Sequence, residues 1–384
     1  MISARQTFCQ HAHLLRCTVA ILLLGGLVSA CKTTEPSVSP ERPAHHTADG
    51  FKNRFHEAIE KSPWVFIRMK YLGGEEFADQ EAEAHRVPIA QPDLPALRQP
   101  SGRPKVTWLG HSTFLIQYRG LNILTDPILS SRASPVSFAG PKRLVATPIT
   151  YEDLPEIHYV IISHNHYDHL DQESVRQLGS GPRYLVPLKL KPWFVDEGIA
   201  PTQVDEFDWW DEMQFGPLRV TATPCQHWSA RGPFDRNKTL WAAWHLALDD
   251  FTVWFGGDTG YNEHEFKEIR ARLGPVDLGL IPIGAYAPRW FMRAQHVDPT
   301  DAIQLHRDIG ARQSIGMHWG TFPLSAEPIM EPALLIRQAQ QEGLIAEDEF
   351  FTLPIGGSYE IGSGTRKPAT LVADKDQPGS VATP

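Results

Sequence analysis

Tyr159-Val160-Ile161-Ile162, running into Ser163-His164-Asn165-His166-Tyr167-Asp168-His169, is the stretch on which the reading of the fold turns. A short apolar run rich in β-branched residues that stops at a cluster of polar side chains reads as a buried strand delivering a loop to one edge of a sheet. Imidazole and carboxylate suit borderline divalent metals such as zinc. His164, His166, Asp168 and His169 together exceed what a single tetrahedral ion can accept from so short a loop, so the stretch predicts two metal ions. A solvated loop that is rich in histidine by chance is the bland alternative, and outlying residues of the same type count against it.

Those outlying residues each follow a separate predicted strand. His227 comes after Leu218 to Thr223, Asp258 after Thr252 to Phe255, and His318 after Ser314 to Met317. His164 and His166 are two apart and project the same way from an extended loop, while Asp168 and His169 begin the next turn. The spacing assigns His164, His166 and His227 to a first metal and Asp168, His169 and His318 to a second. Asp258 bridges them, because a carboxylate has two oxygens to share. Such a pair of dications lowers the pKa of a shared water toward neutrality and can grip phosphoryl oxygens. The expected chemistry is hydrolysis by a metal-bridging hydroxide. No thiolate cluster, dinucleotide loop or haem-attachment motif stands in the sequence to support redox chemistry. Asp126, ending Asn122-Ile123-Leu124-Thr125, is the candidate to hold the second nitrogen of a ligand imidazole. A plain strand-terminating turn is the alternative there.

Further out, strands alternate with helical patterns. Val106 to Leu109, Thr113 to Tyr118, Asn122 to Thr125, Tyr184 to Val186, Val204 to Glu206, Trp241 to Leu248 and Leu278 to Pro282 read as strands. Gln172 to Leu178, Asn262 to Leu273 and Pro299 to Ile309 read as helices. The alternation predicts a layered α/β fold with sheet inside and helices outside. No internal repeat at a fixed period is visible. At 384 residues and 42% hydrophobic, the chain can bury one large core. A net charge of -9, with basic residues unclustered, gives no footprint for nucleic acid.

The amino terminus is of another kind. Arg5 and Arg16 precede the apolar run Val19 to Leu27, then Val28-Ser29-Ala30-Cys31. These are the parts of a secretory signal, with an apolar centre too short to span a membrane comfortably. The four residues ending at Cys31 resemble a bacterial lipobox, in which that cysteine is acylated. Lys32, not Asp, follows it, so the expected location is the bacterial cell envelope, lipid-anchored at the outer membrane on its periplasmic or surface face. An uncleaved anchor is the alternative. Cys9 and Cys17 fall in the cleaved part, which leaves only Cys225 and no internal disulfide. The expected divisions are a signal peptide at 1–30, a flexible tether at 31–50, an amino-terminal extension and linker at 51–104, a hydrolase domain at 105–363 and a disordered tail at 364–384. Within the extension, Phe51, Phe55 and Ile59 recur at helical spacing.

The run His164-x-His166-x-Asp168-His169, with His227, Asp258 and His318, resembles the metallo-β-lactamase fold, an αβ/βα sandwich of two mixed sheets flanked by helices. Further stretches are similar, in order, to the N-acyl phosphatidylethanolamine-hydrolysing phospholipase D family. They include Thr125-Asp126-Pro127-Ile128, Gly140-Pro141-Lys142-Arg143, Gln226-His227-Trp228, Gly257-Asp258-Thr259-Gly260-Tyr261, Gln295-His296-Val297-Asp298-Pro299 and His318-Trp319-Gly320-Thr321-Phe322. The likeness runs from about Lys105 to about Gly356.

It implies two zinc ions and cleavage of a phospholipid phosphodiester to phosphatidic acid and an N-acylethanolamine. It also implies a homodimer. Gln295 and His296 match family residues beside the metals. Together with Asp168 they form the expected catalytic set, His296 protonating the leaving oxygen and Gln295 donating to a nonbridging one. A core or capping role for His296 is the alternative. Phe234, Trp290 and Phe291 are candidates to line an acyl groove or rest at a lipid interface, with core packing the commoner fate of such aromatics, and Arg289 and Arg293 to engage phosphate or face solvent. The competing functions are an ester, lactone or amide hydrolase of the same fold and a metal-binding surface lipoprotein without turnover.

Overall fold

The structure is a computed structural model that describes residues 43–56, 76–100 and 102–362, with Val65 and Arg68 as isolated positions. The expected signal peptide at 1–30, Cys31, the expected tether up to residue 42 and the expected tail at 364–384 lie outside the described residues.

The first sheet is built from β1 (Lys105–Gly110), β2 (Thr113–Tyr118), β3 (Leu121–Thr125), β4 (Tyr159–Ile161), β5 (Arg183–Pro187) and β6 (Val204–Phe207). The second contains β7 (Glu212–Phe215), β8 (Leu218–Thr223), β9 (Ala243–Leu248), β10 (Phe251–Phe255), β11 (Leu278–Pro282), β12 (Gln313–Met317) and β13 (Phe350–Phe351). The last strand, β14 (Ser358–Glu360), returns to the first sheet beside β1, giving the order β14-β1-β2-β3-β4-β5-β6 against β13-β12-β11-β10-β9-β8-β7. In each sheet an antiparallel meander leads into parallel strands. The arrangement therefore occurs twice, although the sequence carries no period to announce it.

Alternation along the strands sorts side chains between layers. In β2, Phe114, Ile116 and Tyr118 join the large core that includes the second sheet, while Leu115 turns to the opposite face. In β4, Ile161 joins that same core and Val160 the outer one. The outer face of the first sheet is covered through Val175 of the helix Gln172–Leu178 and Phe194 of Lys191–Asp196. Asp171 starts the first of these by accepting from the Ser174 N–H. Helices Glu265–Leu273, Pro299–Ile309 and Glu331–Gln341 pack on the second sheet through Phe266, Ile269, Leu305, Ile309 and Ile336. None of the described helices is long and apolar enough to cross a membrane.

Strand direction is what positions the site. β1 and β3 are each antiparallel to β2, and β4 runs parallel to β3, so the carboxyl ends of β1, β3 and β4 share one rim. By the same count β8, β10 and β12 end together in the second sheet. Every predicted ligand follows one of these ends.

Three departures from expectation have local causes. Helical spacing at Phe51, Phe55 and Ile59 does not produce a helix over 51–56. Phe51 instead bridges to His46 and is buried in the main core, and Ile59 lies outside the described residues. The polar stretch read as a linker holds short helices at Gln80–Glu83 and Leu94–Arg98 and buries Val87 and Leu97. β7 escaped notice because Glu212-Met213-Gln214-Phe215 is a largely exposed edge strand with no inward-facing apolar pattern.

Candidate metal centre

The loop after β4 brings His164 and His166 together, with His164 Nε2 2.7 Å from His166 Nδ1. His227, from the loop after β8, places its Nε2 3.3 Å from the same His166 nitrogen. Asp168, His169 and His318 form the second group: Asp168 Oδ2 lies 3.5 Å from the Nε2 of both His169 and His318. Asp258, after β10, faces both. Its Oδ1 is 3.1 Å from His318 Nε2, and its Oδ2 lies 3.2 Å from His169, 3.8 Å from His227 and 4.0 Å from His164. All the residues expected from the sequence to act as ligands are thus brought together around Asp258, whose Oδ2 is nearest His169.

Donor chemistry in this cluster calls for cations. His169 Nε2, His318 Nε2 and Asp258 Oδ1 are buried without a hydrogen-bond partner, and nitrogen faces nitrogen between His164, His166 and His227. Lone pairs aimed at one another in a dry site need a proton or a metal between them. Burial, reinforced by neighbouring imidazoles, pushes His164 well below its ordinary range. It takes His166 and His227 down to about 3, against the pull of nearby carboxylates. These rings are neutral at pH 7 and ready to bind. The second group behaves otherwise. Burial would lower His318, but the charge of Asp258, 3.1 Å away, and the nearness of Asp168 override it and hold the ring at about 9. His169 is likewise raised well above its ordinary value by Asp258, Asp168 and Asp126, against burial. In a metal-free centre the buried carboxylates favour the protonated form of both rings, a place that a bound cation would take.

Asp126, expected to hold the second nitrogen of a ligand imidazole, bonds to His169. It is fully buried at the end of β3; its Oδ2 accepts from His169 Nδ1 at 2.7 Å, and Ser163 N–H and hydroxyl donate to its two oxygens at 2.7 and 2.5 Å. Arg231 pins the ligand loop from the other sheet, donating to the carbonyls of Asn165 and Leu170 at 2.9 and 2.7 Å. Gly257 permits the close approach of the two halves. Its φ is +55°, and a Cβ there would stand 2.5 Å from Ser163 Cβ.

One residue of the site was not foreseen. His111, in the tight turn after β1, donates from Nε2 to Asp168 Oδ2 at 3.0 Å, and its carbonyl accepts from the His318 N–H at 3.0 Å. Burial and the charge of His318 push its pKa down to about 3, so it is neutral. Its sequence signal was the same as that of the other ligands, a histidine just past a strand end. His111, Asp126 and His318 have φ of 53°, 33° and 62°. Left-handed backbone at non-glycine residues costs roughly 1–2 kcal/mol each and gathers at functional sites.

His296 lies beside the cluster, its Nδ1 3.9 Å from Asp258 Oδ2 and its ring 5.2 Å from that of His227. Gln295 uses its carbonyl to accept from His227 Nδ1 at 3.0 Å, a backbone role that the sequence did not suggest. Arg289, a candidate to engage phosphate or face solvent, is partly exposed, pairs with Asp298 and Asp301 and donates to the His296 carbonyl at 2.9 Å. Phe291 is buried against Ala285 and Met292, whereas Phe234 and Trp290 are 85% and 48% exposed. A cleft of about 740 Å³ lined by Arg312, Gln313, Asp348, Glu349 and Tyr359 lies beside the β12–β13 edge and holds none of the clustered ligands.

Residues 121–319 match the family model described as a β-lactamase superfamily domain. The chain belongs to this superfamily. It stands in the branch of the N-acyl-phosphatidylethanolamine-hydrolysing phospholipases D. It is 40% identical over 266 residues to phospholipase D 1 of that name from Caenorhabditis elegans, covering 66% of this chain and 75% of the relative. It is 37% identical over 234 residues to the mitochondrial enzyme of that name from Saccharomyces cerevisiae, covering 59% of this chain and 49% of the relative. The fold is similar to that of a metallo hydrolase from Ignicoccus hospitalis, at 22% identity and a TM-score of 0.50 over 67% of this chain and 97% of the other. This superfamily member is a metal-dependent hydrolase with two mixed sheets and flanking helices.

Proposed function

We propose that this hydrolase is a di-zinc phosphodiesterase of phospholipase D type, cleaving N-acyl phosphatidylethanolamine or a related glycerophospholipid into phosphatidic acid and an N-acylethanolamine. The observation that carries the chemistry is the convergence of two ligand groups on the two oxygens of Asp258. Support for the lipid comes from the activity named for the nematode and yeast relatives.

His164, His166 and His227 would hold one ion, Asp168, His169 and His318 the other, with Asp258 shared. A His and Asp donor set suits zinc. When bound, a pair of divalent cations supplies Lewis acidity toward water and phosphoryl oxygens. The chain's own contribution is orientation and proton transfer. Asp126 sets the His169 ring, and the Gln295 carbonyl sets that of His227. His111 restrains Asp168. His296 gives a proton to the departing alkoxide oxygen as water adds to phosphorus, and Arg289 holds the carbonyl of His296 in place. Acylation of Cys31 keeps the enzyme at a bilayer.

The test is a panel of phospholipids incubated with zinc-loaded protein and read by mass spectrometry. Phosphatidic acid and N-acylethanolamine in equal amounts are expected from the N-acyl lipid. Release of free fatty acid would instead place the attack at a carbonyl and overturn the reading. Fatty acid that labels the wild type but not Cys31→Ala is the expected sign of the anchor.

A further inference from the structure

His227 is held from an unexpected quarter. Its backbone N–H donates to Asn53 Oδ1 at 3.1 Å, and its carbonyl accepts from Asn53 Nδ2 at 2.9 Å, across 174 positions of sequence. One side-chain amide thus satisfies both polar groups of this residue's main chain. The ring is fixed separately by the Gln295 carbonyl. Backbone and imidazole are therefore constrained independently, which leaves Nε2 directed at His166 and Asp258.

The segment that carries Asn53 is itself docked on both sides of it. Before it, Phe51 is buried in the core and its N–H donates to the Asn237 carbonyl at 2.8 Å. Gly50 fits so closely there that a Cβ would stand 2.0 Å from that carbonyl oxygen. Earlier still, His45 and His46 bond to the two oxygens of Asp208. After it, Arg54 pairs with Glu268 at 2.6 Å. Asn53 is thus presented to the loop after β8 on a fixed backbone.

We infer that Asn53 is a positioning residue of the metal centre: it sets the main chain of His227 and so the geometry and retention of the ion that His227 helps to hold. This rests on reading His227 as a ligand. Supporting residues around metal ligands change metal affinity by about 10–100-fold when removed, and Asn53→Ala removes both bonds to one ligand's backbone.

The experiment measures zinc release to a chelator from full-length Asn53→Ala, Asn53→Asp and Asp208→Ala, alongside the visible spectrum of the cobalt-substituted proteins. Asn53→Ala is expected to release one equivalent of zinc about 10–100-fold faster and to alter the cobalt bands. Asn53→Asp keeps an acceptor for the His227 N–H and should fall between it and wild type. It also supplies the measurement if the alanine variant does not fold. Asp208→Ala frees His45 and His46 while Phe51 and Arg54 still hold Asn53 on either side, and should lower the melting temperature while leaving release and spectrum unchanged. Release at the wild-type rate from both Asn53 variants would overturn the inference, as would equal acceleration in Asp208→Ala. A wild type that binds no zinc would sink the proposed function, and an unexpected lipid product would leave this inference standing.

Discussion

Among the described residues stand two clusters of histidine and carboxylate that are built differently. At Asp208 each oxygen has its own imidazole, His45 at 2.6 Å and His46 at 2.7 Å, and the Trp209 N–H adds a third bond. His45 stacks on Trp209, and no polar side-chain atom of that group is buried without a partner. Around Asp258 the opposite holds: nitrogen faces nitrogen, and buried atoms of His169, His318 and Asp258 lack donors or acceptors. Residue types and proximity are shared by both. Unmatched lone pairs are what mark the second as a place for cations, because a closed hydrogen-bond set has nothing left to offer a metal.

The largest expected effect comes from breaking the open cluster at its centre. Asp258→Ala removes the carboxylate common to both groups, and turnover should fall by more than the ~100-fold at which changes to supporting residues level off. Metal analysis should show fewer than two equivalents per chain; full zinc content would contradict the bridging role. Asp126→Ala should weaken zinc binding by about 10–100-fold, measured by chelator competition, because the His169 ring loses its orienting acceptor.

A pH titration sharpens the same contrast. The His318 pKa is raised to about 9 in the metal-free centre. Its pairing with Asp258 therefore stabilises the apoprotein fully below about pH 6.5 and is lost as pH rises through about 9. Zinc must displace that proton, so its apparent affinity should climb over the same window. The melting-temperature gap between zinc-loaded and metal-free protein should widen from pH 6.5 to 9, and a constant gap would refute this. The smallest effect belongs to the closed cluster. Asp208→Ala should cost about 1–3 kcal/mol of stability through the stranded imidazoles, read by denaturant unfolding, with zinc content unchanged.

Much of the centre was legible because its signals are local. The four candidate ligands of the loop after β4 lie within six residues of one another, and His227, Asp258 and His318 each follow a recognisable strand. His111 obeyed the same rule, but Gly110-His111-Ser112 reads equally well as a hairpin turn, and the turn explanation was sufficient by itself. Asn53 had no local signal: an asparagine in a polar segment acquires its meaning only from a backbone it meets far along the chain. The partners of Arg289 were illegible for a related reason, since Asp298 and Asp301 approach only when the chain turns back into the helix Pro299–Ile309.

What the sequence determined alone was the donor set, its place at the ends of strands and the alternating layers that bury those strands. Side-chain chemistry and periodicity are properties of neighbouring residues, so they can be read without a fold. Which ends share a rim, how Asp258 is set between the two groups, and which distant amide holds His227 were decided by tertiary structure. Each depends on the direction in which strands pair across long separations, and no short stretch of chain carries that direction.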